Sequence, residues 1–73
     1  SEFHGCVMHI QLNGETYALG EALSVAGLLE HLQFAGRRVA VELNFEIVPR
    51  SQYETTHLKD GDVLEIVHAI GGG

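Results

Sequence analysis

The chain has 73 residues, 45% hydrophobic and 19% charged, with a net charge of −6. That length holds one small domain with a modest core, and the composition is that of a folded chain rather than a disordered one. Only Arg37, Arg38, Arg50 and Lys59 are basic, and only the first two are adjacent, so the clustered cations that nucleic-acid binding requires are missing. No apolar run is long enough to span a bilayer and no signal peptide precedes the pattern, so a soluble, cytoplasmic protein with no membrane association is expected. The acidic balance suits steering toward a basic partner surface, and equally plain solubility.

Residues 1–7 precede an internal Met8 and read as a remnant of expression cloning. Cys6, the single cysteine, falls inside that remnant. Alone it excludes an internal disulfide and a cysteine-based metal site.

From Met8 the pattern is regular. Met8, Ile10 and Leu12 alternate with His9 and Gln11, the signature of a half-buried strand. Asn13-Gly14 then favours a type I′ turn, and alternation resumes from Glu15 to Leu19 with Tyr17 and Leu19 inward, completing a β-hairpin. Ser24 is placed to cap a helix. Val25, Leu28, Leu29 and Leu32 follow at i, i+3, i+4 and i+7, so one apolar stripe predicts a helix over 25–33, ending before a C-cap glycine at Gly36. Gly27 within it suggests close packing against a sheet.

Val39–Leu43 reads as a third strand, Asn44-Phe45 as a turn and Glu46–Val48 as a short fourth strand stopped by Pro49. Residues 50–56 are polar, with room for one helical turn. Asp60-Gly61-Asp62 makes a turn into a final strand over 63–70. Its Leu64, Ile66 and His68 lie on one face, and Val63, Glu65, Val67 and Ala69 on the other. One helix covering one face of a mixed ββαββ sheet accounts for these elements, an α+β fold with the domain over 8–70. If the last strand is central, beside the first, Leu64 and Ile66 meet Ile10 and Leu12 under the helix. Val67 and Ala69 are then left partly exposed, either as an apolar docking patch or as two ordinary surface residues, which the residue count favours.

Gly71-Gly72-Gly73 ends the chain as a thread without side chains, able to enter a channel that any Cβ would block. With Ile70 it reaches roughly 13 Å when extended. It is no phosphate loop, since no helix or lysine follows.

The remaining polar residues fall into no catalytic pattern. His4, His9, His31, His57 and His68 are scattered without an i, i+4 pair, which favours structural or surface roles over metal ligation. Glu42 and Glu46 flank a turn and read as solvated rather than as an acid–base pair, while Tyr17 and Tyr53 read as packing residues with a wet hydroxyl.

Met8 to Gly73 resembles a known family. The ββαββ order with a terminal Gly-Gly resembles the ubiquitin-like β-grasp fold. Asn44-Phe45-Glu46-Ile47-Val48-Pro49-Arg50, then Asp60-Gly61-Asp62, then Ala69-Ile70-Gly71-Gly72-Gly73, resemble the ThiS family of thiamine-biosynthesis sulfur carriers. Two features depart from its pattern: a third glycine, and bulky Phe45 in the turn between the middle strands.

The resemblance implies a carrier, not an enzyme. An E1-like adenylyltransferase (ThiF type) would adenylate the Gly73 carboxylate with its own MgATP, so the carrier holds no cofactor or metal. A sulfur donor fed by a cysteine desulfurase would displace AMP to give a thiocarboxylate, and thiazole synthase (ThiG type) would receive the sulfur. Gly71 and Gly72 would thread the partner's channel, while Val67, Ala69 and Ile70 dock the domain outside it. Two other fates share this architecture: a MoaD-like small subunit of molybdopterin synthase, and a ubiquitin-like modifier whose carboxylate ends as an amide on a lysine. The Val-Pro-Arg stretch and the short length favour the thiamine branch. A purely structural domain predicts that losing Gly72 and Gly73 changes nothing.

Overall fold

The computed structural model describes residues 7–68. Five strands form one mixed sheet: β1 Met8–Leu12, β2 Glu15–Leu19, β3 Val39–Leu43, β4 Glu46–Val48 and β5 Val63–His68, in the order β2-β1-β5-β3-β4. Helix α1, Val25–His31, lies between β2 and β3 in the chain, and a 3-10 turn at Arg50–Gln52 follows β4. This is the ubiquitin-like β-grasp arrangement.

Local chemistry explains each joint. Asn13 and Gly14 sit at φ of 52° and 85°, the left-handed pair that a type I′ turn needs, and β1 and β2 pair antiparallel from Met8↔Leu19 to Leu12↔Glu15. Ser24 caps α1, its Oγ accepting from the Gly27 N–H at 3.0 Å.

The helix ends two residues earlier than the sequence suggests. Leu32 is the C-cap and Gln33 takes the left-handed position at φ 66°. Gln33 N–H donates to Glu30 O at 3.0 Å and Phe34 N–H to Leu29 O at 2.7 Å, the paired bonds of a Schellman ending. Gly36 is therefore not the cap; it serves the next turn at φ 81°, closed by Arg37 N–H to Phe34 O at 2.9 Å. Gly27 faces Leu23 rather than the sheet, since a Cβ there would lie 3.3 Å from Leu23 Cδ2.

Alternation puts Ile10, Leu19, Val41, Val48, Leu64 and Ile66 on one sheet face, buried together with Val25, Leu28 and Leu29 of α1 and with Leu58. Ile10, Val25, Leu28, Val41 and Leu64 are essentially inaccessible. The last strand is thus the middle of the sheet and the spine of the core. The connection from β4 is anchored by Leu58, whose N–H donates to Leu23 O at 2.9 Å, and by a bridge between Ser24 and His57.

Candidate functional site

β5 is the element that leads toward the C-terminal glycines, and its surroundings fix where that end leaves the domain. On one side β3 pairs antiparallel along its whole length, from Leu43↔Leu64 to Val39↔His68. On the other, β1 pairs parallel only at Gln11↔Val63 and Leu12↔Leu64, because the chain then turns at Asn13. There the Asn13 side chain replaces the ladder. Its carbonyl accepts from Ile66 N–H at 2.8 Å, and its amide donates to Ile66 O at 3.2 Å.

A second asparagine does the same at the other end of β5. Asn44 Oδ1 accepts from Val63 N–H at 2.9 Å, while its amide donates to Asp62 Oδ1 at 3.1 Å. Asp62 is 4% exposed. A carboxylate is tolerated at that depth because it is bonded: besides Asn44 it accepts from Lys59 N–H at 2.7 Å, with the Lys59 ammonium 3.9 Å away. β5 is therefore clamped at both ends by turn side chains. The sequence patterns mark Asn13, Asn44 and Asp62 as turn formers. Nothing in their spacing shows that they reach across to another strand.

The sheet face away from α1 is open. Val67 is exposed there at 56% and Ile47 at 65%. Strand register places them on that face with Ala40, Glu42 and Glu65, and Glu42 stands directly opposite Glu65. Like charges opposite each other on a sheet repel, so this face is both apolar and acidic. Phe45, in the β3–β4 turn, is the most exposed large apolar side chain among the described residues, at 79%. Ala69, Ile70, Gly71, Gly72 and Gly73 lie outside the described residues, as do residues 1–6 with Cys6 and His4.

The other side chains considered in the sequence are not brought together. Glu42 lies on the open face, opposite Ile47, while Glu46 pairs with Leu43 one position along and so belongs to the other face. His31 packs edge-on against Tyr17 with ring centroids 6.2 Å apart, and His68 against Phe34 at 5.3 Å. Among the described residues no group of three His, Cys, Asp or Glu side chains is placed to hold a metal, and no helix is long and apolar enough to cross a membrane. The Tyr53 hydroxyl is not simply wet, since it donates to Val39 O at 3.4 Å.

Comparison with known proteins settles the family. The ThiS family model matches residues 10–73. The chain belongs to the ThiS family. It is 38% identical to the sulfur carrier protein ThiS of Bacillus subtilis over 65 residues, covering 88% of this chain and 98% of that one. The crystal structure of the thiamine biosynthesis protein ThiS from Geobacter metallireducens superposes with a TM-score of 0.80 at 38% identity, over 90% of this chain and 100% of that one. A thiazole synthase of Paramagnetospirillum magneticum is 47% identical over 66 residues, which is 90% of this chain and 20% of that much longer protein.

Proposed function

We propose that the chain is a sulfur carrier for thiazole formation in thiamine biosynthesis, working through its terminal glycine and not as an enzyme. The observation that carries this reading is the family match, which runs through the final glycines to residue 73. The Bacillus relative, a sulfur carrier protein matched almost end to end, supports it. So does the chemistry of the end. A carboxylate is a poor acyl donor, so the Gly73 carboxylate must first attack the α-phosphorus of ATP, releasing pyrophosphate and leaving an acyl-adenylate. A persulfide on a donor fed by a cysteine desulfurase then displaces AMP to give an acyl disulfide, which a second thiol of the donor cleaves, leaving a terminal thiocarboxylate and a donor disulfide. An adenylyltransferase of the ThiF type supplies the MgATP site. A thiazole synthase of the ThiG type is the receiver. The thiazole synthase of Paramagnetospirillum, which carries a segment like this chain within its own polypeptide, supports that pairing.

In this reading Gly71 and Gly72 thread the partner's channel while Val67, Ala69 and Ile70 rest at its mouth. The acidic open face, with Glu42 opposite Glu65, suits a partner surface that brings a cation between them.

The test is the intact mass of the full chain after incubation with ATP, the adenylyltransferase and sulfide. One sulfur should replace one oxygen, and a variant lacking Gly73 should gain nothing while keeping its fold. An unmodified full chain with no pyrophosphate released would overturn the reading. Val67→Asp should raise the KM for the carrier in pyrophosphate release about tenfold, since roughly 1.4 kcal/mol of docking is a factor of ten. Its thermal midpoint should stay close to that of the parent, because an exposed substitution changes stability by about 0.5 kcal/mol or less.

A further inference from the structure

Arg50 has no part in the tail chemistry, yet with Ser51, Tyr53 and Glu54 it lines a groove among the described residues. That groove, about 580 Å³, runs between α1, the turn at 34–37 and the 3-10 turn. Leu29, Phe34 and Tyr53 give its lining an apolar part, and Arg37 and Arg50 line it as well, one from the turn at 34–37 and one from the 3-10 turn. We propose that this groove is a second docking site, which takes a carboxylate side chain set in an apolar segment of the adenylyltransferase that activates the tail. The proposal rests on the carrier reading for the identity of that enzyme.

Position is the first argument. The groove lies at the end of the sheet where β5 hands over to the tail. His68 pairs with Val39, Tyr53 donates its hydroxyl to Val39 O at 3.4 Å, and the Phe34 ring meets the His68 ring edge-on. An enzyme that grips the chain beyond His68 therefore passes the mouth of the groove.

Charge is the second argument. In a chain of net charge −6, two of its four basic residues line this one groove. Among the described residues the ion pair within 4.0 Å is Lys59 with Asp62, so neither guanidinium is spent on a described carboxylate. Glu30 and Glu54 also stand at the rim. They cancel the long-range positive field and oppose a multiply charged phosphate. A single carboxylate bound in the fork of a guanidinium needs no such field, because its recognition is short-ranged and bidentate. The apolar part of the lining then calls for apolar neighbours beside that carboxylate.

Rigidity is the third. Arg50 follows Pro49, held at φ −65°, and its carbonyl accepts the Tyr53 N–H at 3.1 Å. The backbone bearing the guanidinium is thus ordered before any partner arrives.

Two measurements on the full chain test this. In the first, the amide spectrum is titrated with a six-residue peptide of alternating leucine and glutamate, with the same peptide carrying glutamine, and with inorganic phosphate. The glutamate peptide should shift the amides of Gly36, Arg37, Ser51 and Tyr53, and the glutamine peptide should not. The Arg37→Glu, Arg50→Glu double variant, its spectrum otherwise intact, should not respond. No shift at these amides, an equal response to glutamine, or saturation by phosphate alone would overturn the proposal. So would movement of the same amides on deleting residues 71–73 without peptide, since the groove would then belong to the chain's own tail.

In the second, pyrophosphate release by the adenylyltransferase is followed against carrier concentration. The double variant should raise KM more than tenfold with kcat within twofold, and Arg37→Lys, Arg50→Lys should recover only a small part of the loss, because an ammonium cannot form the bidentate fork. An unchanged KM would overturn the proposal. The peptide arm needs no carrier activity. A parent chain that releases no pyrophosphate would therefore sink the carrier reading separately, while the peptide result still judges the groove.

Discussion

Two hairpin turns flank β5, and they share a design up to one residue. Each opens with an asparagine at φ 52°, and each asparagine sends its side chain to the backbone of β5: Asn13 to Ile66, Asn44 to Val63. The second position differs. In the first turn it is Gly14 at φ 85°, in the second Phe45 at φ 72°. A Cβ at Gly14 would meet nothing within 4 Å, so that glycine is there for its backbone angle alone. Phe45 holds nearly the same angle against its preference and is largely exposed. Two turns with one geometric task show which residues serve the fold: the asparagines do, and the phenylalanine does not.

The comparison can be broken at the clamps first. Asp62→Ala should have the largest effect, about 3 kcal/mol, because a buried carboxylate with two hydrogen-bonded partners leaves both unpaired. Chemical denaturation reads this directly. Asn13→Gly keeps the turn angle and removes only the side-chain clamp; with both of its bonds part-buried, it should cost about 2 kcal/mol, or roughly 8–16 °C in thermal midpoint. Asn44→Gly should cost less, about 1 kcal/mol, since one of its two bonds is exposed. Equal losses at the two asparagines would show that the clamps are equivalent. Phe45→Gly sharpens the contrast with the smallest effect and the opposite sign. Relief of the left-handed strain should stabilise the domain by up to about 1 kcal/mol, read as a rise of a few degrees in thermal midpoint. A fall would mean that Phe45 serves the fold after all.

Much of the fold was legible because it follows from periodicity. Five strands, one helix, the Ser24 cap and both turns came from alternation, a single apolar stripe and Asn-Gly chemistry. The early helix end was not legible, because Gln33 has no sequence mark for the left-handed angle that accompanies the Phe34 N–H to Leu29 O bond. The clamps were hidden for a related reason. An asparagine that forms a turn and one that also reaches a strand 53 residues away look alike in a sequence. The exposure of Val67 was readable from alternation in β5, whereas the groove was not. Arg37 and Arg50 are far apart in the chain, and only the return of residues 49–53 beneath α1 brings them to one cleft.

The sheet order β2-β1-β5-β3-β4 has a consequence for how the chain is made. Until β5 leaves the ribosome, the two hairpins share no edge, and α1 has half a floor to lie on. The pairing of β1 with β5 joins the two ends of the domain, so folding waits until β5 has been made. A nascent chain cut short before β5 cannot close its core and is left for proteolysis. Any molecule that does fold has already been translated through β5, the strand that leads directly to the terminal glycines.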